Sequence, residues 1–205
     1  MMRRTFPRIL GLPSRTFANS ARKSKIDEVL RVDQAGETAA VRICGYQLLW
    51  MSPLDSAVPV VKEILKDELV HEKTMNDLAK KHSVRLTALD PVFHVGGFAM
   101  ATLTALLGKE AMMCCHAAVE ITIVNHYNDQ LRELEELENG GVNLNDDDAK
   151  ALKEIKDIVA KFRDEEEHHQ RLGETNGAAQ AFCYPLLYNG IRLACRMGVN
   201  FAKKV

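Results

Sequence analysis

Asp67-Glu68-Leu69-Val70-His71 and Asp164-Glu165-Glu166-Glu167-His168-His169 carry one short pattern in common, Glu-x-x-His. On an α-helix, residues three apart lie on one face, so each copy sets a carboxylate beside an imidazole. Two such copies on two helices are the ligand pattern of a carboxylate-bridged two-metal site inside a four-helix bundle. A single copy arises often by chance on surface helices, so the flanking residues decide.

Around the first copy, Ile64, Glu68, His71, Met75 and Leu78 follow the 4-3-4-3 spacing of a buried seam. The second copy is ambiguous by one residue, because Glu165/His168 and Glu166/His169 both satisfy the pattern. Only Glu166 and His169 continue the stripe Ile155, Val159, Phe162 in step, so helical phase selects them. The same phase recruits two more acids. Glu37 sits within Leu30, Asp33, Glu37, Val41, Cys44, Leu48, and Glu120 within Met113, Ala117, Glu120, Val124, Tyr127, Leu131, Leu134. An acid on an apolar stripe is costly unless it is paired or bound to metal. Gly36, Ala39 and Ala40 around Glu37 are small enough to let another helix or a metal come close.

The order is therefore Glu and then Glu-x-x-His, stated twice, which makes the halves of the chain approximate repeats. Without metal, four carboxylates brought to one depth would repel and take up protons. Six ligands with only two imidazoles suit iron or manganese better than zinc or copper. In that site Glu68 and Glu166 are the natural bridges and Glu37 and Glu120 the terminal ligands. Asp67 and Glu165, each preceding a bridging acid, are placed to hold the imidazoles in one tautomer.

The rest of the chain reads as helix, with almost no β-branched alternation. The expected fold is all-α: a ferritin-like four-helix bundle with a di-metal site and two additional amphipathic or apolar helices, at about residues 91–108 and 179–205. Helices are expected from about Ile26 to Met51, from Asp55 or Pro59 onward, from Lys109 to Glu138, and after Asn145. Residues 91–108 contain no Asp, Glu, Lys or Arg. Three readings are open for them: a buried helix, a helix lying in a membrane interface, or a membrane span, which His94 and the Gly96-Gly97 pair disfavour. In the last helix Phe182, Leu186, Leu193, Met197 and Phe201 share one side, and Arg192, Arg196 and Lys203 another. That helix suits either packing or an anionic membrane surface.

Length and composition fit one globular domain over residues 26–205. The formal charge of −1 hides an asymmetry: residues 1–26 carry seven Arg or Lys and no acid, leaving 20 basic against 28 acidic residues, or −8, in residues 27–205. Such a domain is unsuited to nucleic acid. The Arg-rich, acid-free residues 1–25 have the composition of a mitochondrial transit peptide, removed or disordered in the mature protein. Five cysteines without a Cys-x-x-Cys exclude a zinc ribbon and read as buried free thiols.

Arg31-Val32-Asp33-Gln34-Ala35-Gly36-Glu37, Ala105-Leu106-Leu107-Gly108-Lys109-Glu110, His126-Tyr127-Asn128 and Phe162-Arg163-Asp164-Glu165-Glu166 resemble the demethoxyubiquinone hydroxylase family. The resemblance covers about residues 26–172 and the character of the C-terminal helix. It implies a di-iron monooxygenase that uses dioxygen to hydroxylate a polyprenyl demethoxybenzoquinol in ubiquinone biosynthesis. The family's six metal ligands fall on Glu37, Glu68, His71, Glu120, Glu166 and His169. The resemblance further implies two Fe ions, NADH as a possible electron donor, and a peripheral position on the matrix face of the inner mitochondrial membrane. Its implied partners are the lipid substrate, a lipid-binding accessory protein and other members of the coenzyme Q biosynthetic complex. His126 and Tyr127 match family residues near the quinone and its electron path; from the residues alone they equally form a core hydrogen-bonding pair. Three places depart from the family pattern, Gln34 for the usual His, Ile121 for a second Glu, and Glu174-Thr175-Asn176 for an acidic run, and none is a predicted ligand. The rival readings are a ferritin-like iron-binding protein without oxygenase activity and a membrane-associated helical adaptor.

Overall fold

The computed structural model describes residues 15–139 and 146–204. Among them are six α-helices, one 3-10 turn and no strand: α1 (Arg15–Trp50), α2 (Val58–Lys81), α3 (Asp90–Leu106), α4 (Lys109–Asn139), α5 (Asp146–Thr175), the turn Ala178–Gln180, and α6 (Tyr184–Ala202). The breaks have local causes. Ser52-Pro53 stops α1, Pro59 opens α2 where its missing N–H costs nothing, and Gly108 turns α3 into α4 at φ 98°.

α1 pairs with α2 and α4 with α5, and these two hairpins form the four-helix bundle. α3 packs on α1 as α6 packs on α4, so the expected internal repeat extends to the accessory helices. Two apolar clusters fill the bundle. Cys44, Val61, Ile64, Met113 and Ala117 belong to one, and Leu30, Met75, Tyr127, Leu134, Ile155 and Phe162 to the other. On each bundle helix the predicted ligands lie between the two clusters. Burial follows the predicted seams: Glu166 and His169 are buried, whereas His168 is exposed and Glu165 half-buried.

Three features differ from, or sharpen, the sequence expectation. α1 begins eleven residues earlier than expected. Residues 15–26 hold no Pro or Gly, and Lys23–Asp27 and Lys25–Glu28 pair along the helix face at 3.1 and 2.7 Å. The targeting segment read over residues 1–25 thus falls partly outside the described residues (1–14) and partly on the start of α1. Next, no helix among the described residues is long and apolar enough to cross a membrane, which removes the spanning reading of residues 91–108. α3 instead buries a narrow stripe, Gly97, Ala101 and Thr104, and turns Val92, Val95, Phe98, Leu103 and Leu106 outward. α6 begins at Tyr184 rather than near residue 179, leaving the exposed Phe182 just ahead of it, and turns Leu186, Leu193, Met197 and Phe201 outward while Ile191 and Ala202 pack inward. Finally, only Cys44, Cys114 and Cys115 are the expected buried thiols; Cys195 is half-buried, and Cys183 is exposed where it caps α6 at φ 50°.

α5 lies close against α4 at Gly173. A Cβ there would lie 2.7 Å from the Met113 carbonyl oxygen and 2.8 Å from the Ala117 nitrogen, both backbone atoms that cannot swing away. Gly173→Ala should therefore destabilise the fold by about 1–3 kcal/mol, the usual cost of overpacking. A lowered urea midpoint with an unchanged slope is the expected result.

Candidate metal centre

Each bundle helix delivers its side chains to one layer. α1 supplies Glu37, α2 Glu68 and His71, α4 Glu120, and α5 Glu166 and His169, and all six are at most 3% exposed. Their atoms form two overlapping groups, Glu37/Glu68/His71/Glu166 and Glu68/Glu120/Glu166/His169, within each of which one potential ligand atom per residue lies within 4.8 Å of the others. Glu68 and Glu166 belong to both groups, while Glu37 belongs only to the first and Glu120 only to the second.

The imidazoles point inward through Nδ1. His71 Nδ1 lies 3.0 Å from Glu166 Oε1, 3.6 Å from Glu37 Oε2 and 3.7 Å from Glu68 Oε2. His169 Nδ1 lies 2.9 Å from Glu166 Oε2 and 3.2 Å from Glu68 Oε1. The outer nitrogens cross the bundle. His71 Nε2 of α2 meets Glu165 of α5 at 3.0 Å, and His169 Nε2 of α5 meets Asp67 of α2 at 3.5 Å. Asp67 and Glu165 thus sit where imidazole-orienting acceptors were expected, each serving the histidine of the opposite helix.

The electrostatics of this layer are those of a site built around positive charge. Burial drives Glu37 and Glu120 well above the usual carboxylate range, and the negative charges of Glu166 and Glu68 add to it. Burial acts on Glu68 too, but the imidazoles of His169 and His71 overcome it and hold Glu68 at about 2. Burial would also lower both histidines. The surrounding carboxylates prevail, pushing His169 up to about 11 and raising His71 strongly. Even so, both Glu68 oxygens and His71 Nδ1 are fully buried without a hydrogen bond. Orphaned ligand atoms amid four carboxylates and two imidazoles fit a pair of oxygen-preferring divalent ions.

A cavity of about 400 Å³ leads away from this layer between α1, α3, α4 and α6. Its inner end is lined by Glu37, Glu68, Glu120 and Glu166, with His126 and Tyr127 in the wall, and the remainder is almost wholly apolar, from Ile43 and Ile123 to Phe93, Met197 and Phe201. Gly36, expected to admit a helix or a metal, opens into this space: a Cβ there would meet nothing within 4 Å. Tyr127 is buried, and its hydroxyl donates to Glu37 Oε1. His126 does not bond to Tyr127; its Nε2 faces Asp33 Oδ1 at 3.4 Å, and Gln130 Nε2 donates to the same oxygen at 2.7 Å.

Sequence reasoning missed a buried chain on the other side of the layer. His116 Nε2 is 2.8 Å from Gln47 Oε1, and Gln47 Nε2 donates to Thr104 Oγ1 at 3.1 Å, while His116 Nδ1 faces Glu120 Oε1 at 3.7 Å. Burial holds the His116 imidazole neutral, down to about 4. Spacing offered one signal, since His116 lies four residues before Glu120 and so on the same face of the helix. Of the departures from the family pattern, Gln34 is bonded to Thr38 and Asn76 at 3.0 and 3.1 Å, and Glu174 to Gln170 at 2.9 Å; none of these three bonds involves the six-residue layer.

The family model described as "Ubiquinone biosynthesis protein COQ7" matches residues 24–202. The chain belongs to the COQ7 ubiquinone-biosynthesis family. It is 38% identical over 186 residues to a Caenorhabditis elegans protein, covering 91% of this chain and 94% of the relative, and 36% identical to a human protein, covering 89% and 79%. Both relatives carry the name NADPH-dependent 3-demethoxyubiquinone 3-hydroxylase, mitochondrial. A Rhodospirillum rubrum protein named 3-demethoxyubiquinol 3-hydroxylase is 38% identical, covering 88% of this chain and 78% of that one. The expected family is thereby established, and the relatives belong to the hydroxylase class that the sequence motifs implied. The nucleotide in the worm and human names is NADPH, where the resemblance had implied NADH.

Metal entering the layer must displace protons from His71 and His169, because a protonated imidazole has no lone pair to donate. Both histidines are raised, so the apparent affinity should climb as pH rises. Anaerobic calorimetry with ferrous ion at about pH 6 and about pH 8 should give tighter binding at the higher value, with proton release visible as a buffer-dependent heat.

Proposed function

We propose that this chain hydroxylates a polyprenyl demethoxybenzoquinol with dioxygen at a di-iron centre held by Glu37, Glu68, His71, Glu120, Glu166 and His169. The observation that carries the proposal is the junction of two features. One is a buried layer of four carboxylates and two imidazoles, and the other an apolar cavity that ends on it. An iron-storage protein has use for the first and none for the second.

In this reading Glu37 and His71 would help hold one ion and Glu120 and His169 the other, with Glu68 and Glu166 available to both. When bound, the iron pair supplies activation of dioxygen and the electrons for its reduction. The protein's own contribution is positioning and exclusion of water. The quinol ring enters through the cavity to its polar end, where His126 and Tyr127 wall one side. Tyr127 keeps its hydroxyl on Glu37 and so holds that carboxylate while its side chain lines the cavity. His126, set by Asp33 and Gln130, lies one residue away on the same wall. The apolar lining keeps water from the reacting carbon, where it would drain the oxidant.

The outward apolar faces of α3 and α6 flank the cavity, with Phe93 of α3 3.7 Å from the position of a Gly198 Cβ on α6. A prenyl tail leaving the cavity between these helices would pass directly into a lipid surface. The proposed location is accordingly peripheral, on the matrix side of the inner mitochondrial membrane. The relatives' names, which include mitochondrial proteins, agree with the organelle. The proposed partners are a lipid-binding accessory protein and other members of the coenzyme Q biosynthetic complex. A reduced nicotinamide nucleotide, NADH or the NADPH named for the relatives, is the proposed source of electrons.

Anaerobically purified protein should carry about two irons per chain, one per half of the six-ligand set. Given dioxygen, reductant and a demethoxyquinol, it should release the hydroxylated quinol, detected by mass spectrometry with label from ¹⁸O₂. Iron-replete protein that forms no product would sink the hydroxylase reading in favour of iron binding alone.

A further inference from the structure

The two halves of the metal layer are related by the internal repeat, yet the residues that support them differ position by position. Four residues before the Glu of each Glu-x-x-His, α5 carries Phe162 and α2 carries Ile64. The Phe162 ring lies against His71 at 4.0 Å between centroids. Seven residues after the terminal acid, α4 carries Tyr127 and α1 carries Cys44. The Tyr127 hydroxyl donates to Glu37, whereas Cys44 is a free thiol, a weak donor, and no side-chain hydrogen bond to Glu120 is present among the described residues. The outer acceptors are unequal as well. Glu165 meets His71 at 3.0 Å with its other oxygen 3.2 Å from Lys161, while Asp67 meets His169 only at 3.5 Å.

These outer differences favour the Glu37/His71 half, and the buried imidazole that faces Glu120, that of His116, stands 3.7 Å away, beyond hydrogen-bond reach. We infer that the two metal positions are inequivalent, and that a divalent ion fills the Glu37/His71 position first and the Glu120/His169 position second. The inference rests on the reading of the layer as a two-metal site. Its physical basis is pre-organisation: ligands already fixed by a hydrogen bond, a stacked ring and an anchored acceptor lose less freedom when the ion arrives. Glu120, bordering the cavity without such a tie, remains the more adjustable carboxylate and the one best placed to yield to an incoming molecule. Tyr127 and Glu165 are then positioning residues for the first ion.

Anaerobic titration of the full chain with Co²⁺ tests this, since cobalt reports each coordination environment through its visible absorption. Two resolved steps are expected, the first at least about tenfold tighter than the second. Tyr127→Phe should weaken the first step about 10- to 100-fold, the usual cost of losing an outer-shell partner, and leave the second unchanged. Glu165→Gln, a change at a half-exposed side chain that leaves the fold intact, should weaken the same step in the same direction. Glu120→Gln should weaken the second step and spare the first. Two ions bound with a single constant, or a Glu165→Gln effect confined to the second step, would overturn the inequality while leaving the two-metal site standing. Failure of the wild-type chain to bind any Co²⁺ would remove both.

Discussion

Four carboxylates share one layer of a bundle interior, and that repulsion is the constraint to which the remaining structure answers. Like charges about 4 Å apart cost about 4 kcal/mol per pair at the effective dielectric of a protein interior. Two imidazoles inserted between the acids offset part of this in the metal-free chain by holding protons. Burial pushes Glu37 and Glu120 well above the usual carboxylate range, while the imidazoles of His169 and His71 hold Glu68 low. Such a layer is held together by borrowed protons, and divalent ions are the stronger substitute. The apolar clusters on either side fix the helices around it, so the layer cannot relieve its repulsion by swelling.

The layer also explains the surrounding architecture. Small residues on α1, Gly36, Ala39 and Ala40, leave space beside Glu37 that no neighbouring helix fills, and this space is the inner end of the cavity. α3 and α6 roof that cavity with Phe93, Met197 and Phe201 in its wall but bury only narrow stripes of their own, which leaves much of their bulky apolar surface outside. Leu106 and Leu186, 74% and 77% exposed, are a consequence of how the roof is made. A buried layer of carboxylates and imidazoles, an apolar way in and an apolar outer surface are therefore parts of a single arrangement.

Much of this was legible in the sequence because helical phase is a strict ruler. Three stripe residues, Ile155, Val159 and Phe162, were enough to choose Glu166 and His169 over neighbours of the same type one position earlier. The end of the first helix near Met51, before Ser52-Pro53, was equally plain. What phase does not give is partnership across helices. Asp67 and Glu165 could be suspected of orienting a histidine, but not that each would serve the opposite helix. The bond from Tyr127 to Glu37 and the chain from His116 through Gln47 to Thr104 join residues 90, 69 and 57 positions apart, and no local spacing encodes them. The outward turn of α6's apolar side was likewise undetermined, because an amphipathic helix reads the same whether it covers a core or faces lipid. The early start of α1 was missed for a different reason: a composition suited to targeting is also suited to a helix.

X-ray absorption on the anaerobically iron-loaded chain tests the central claim most directly, because it sees the ions and their ligands at once. The account predicts a first shell of oxygen and nitrogen only, together with an iron–iron scattering path at about 3.5–4 Å, the separation of a two-metal clamp. A single isolated iron, or sulfur in its first shell from Cys44 or Cys115, would contradict it.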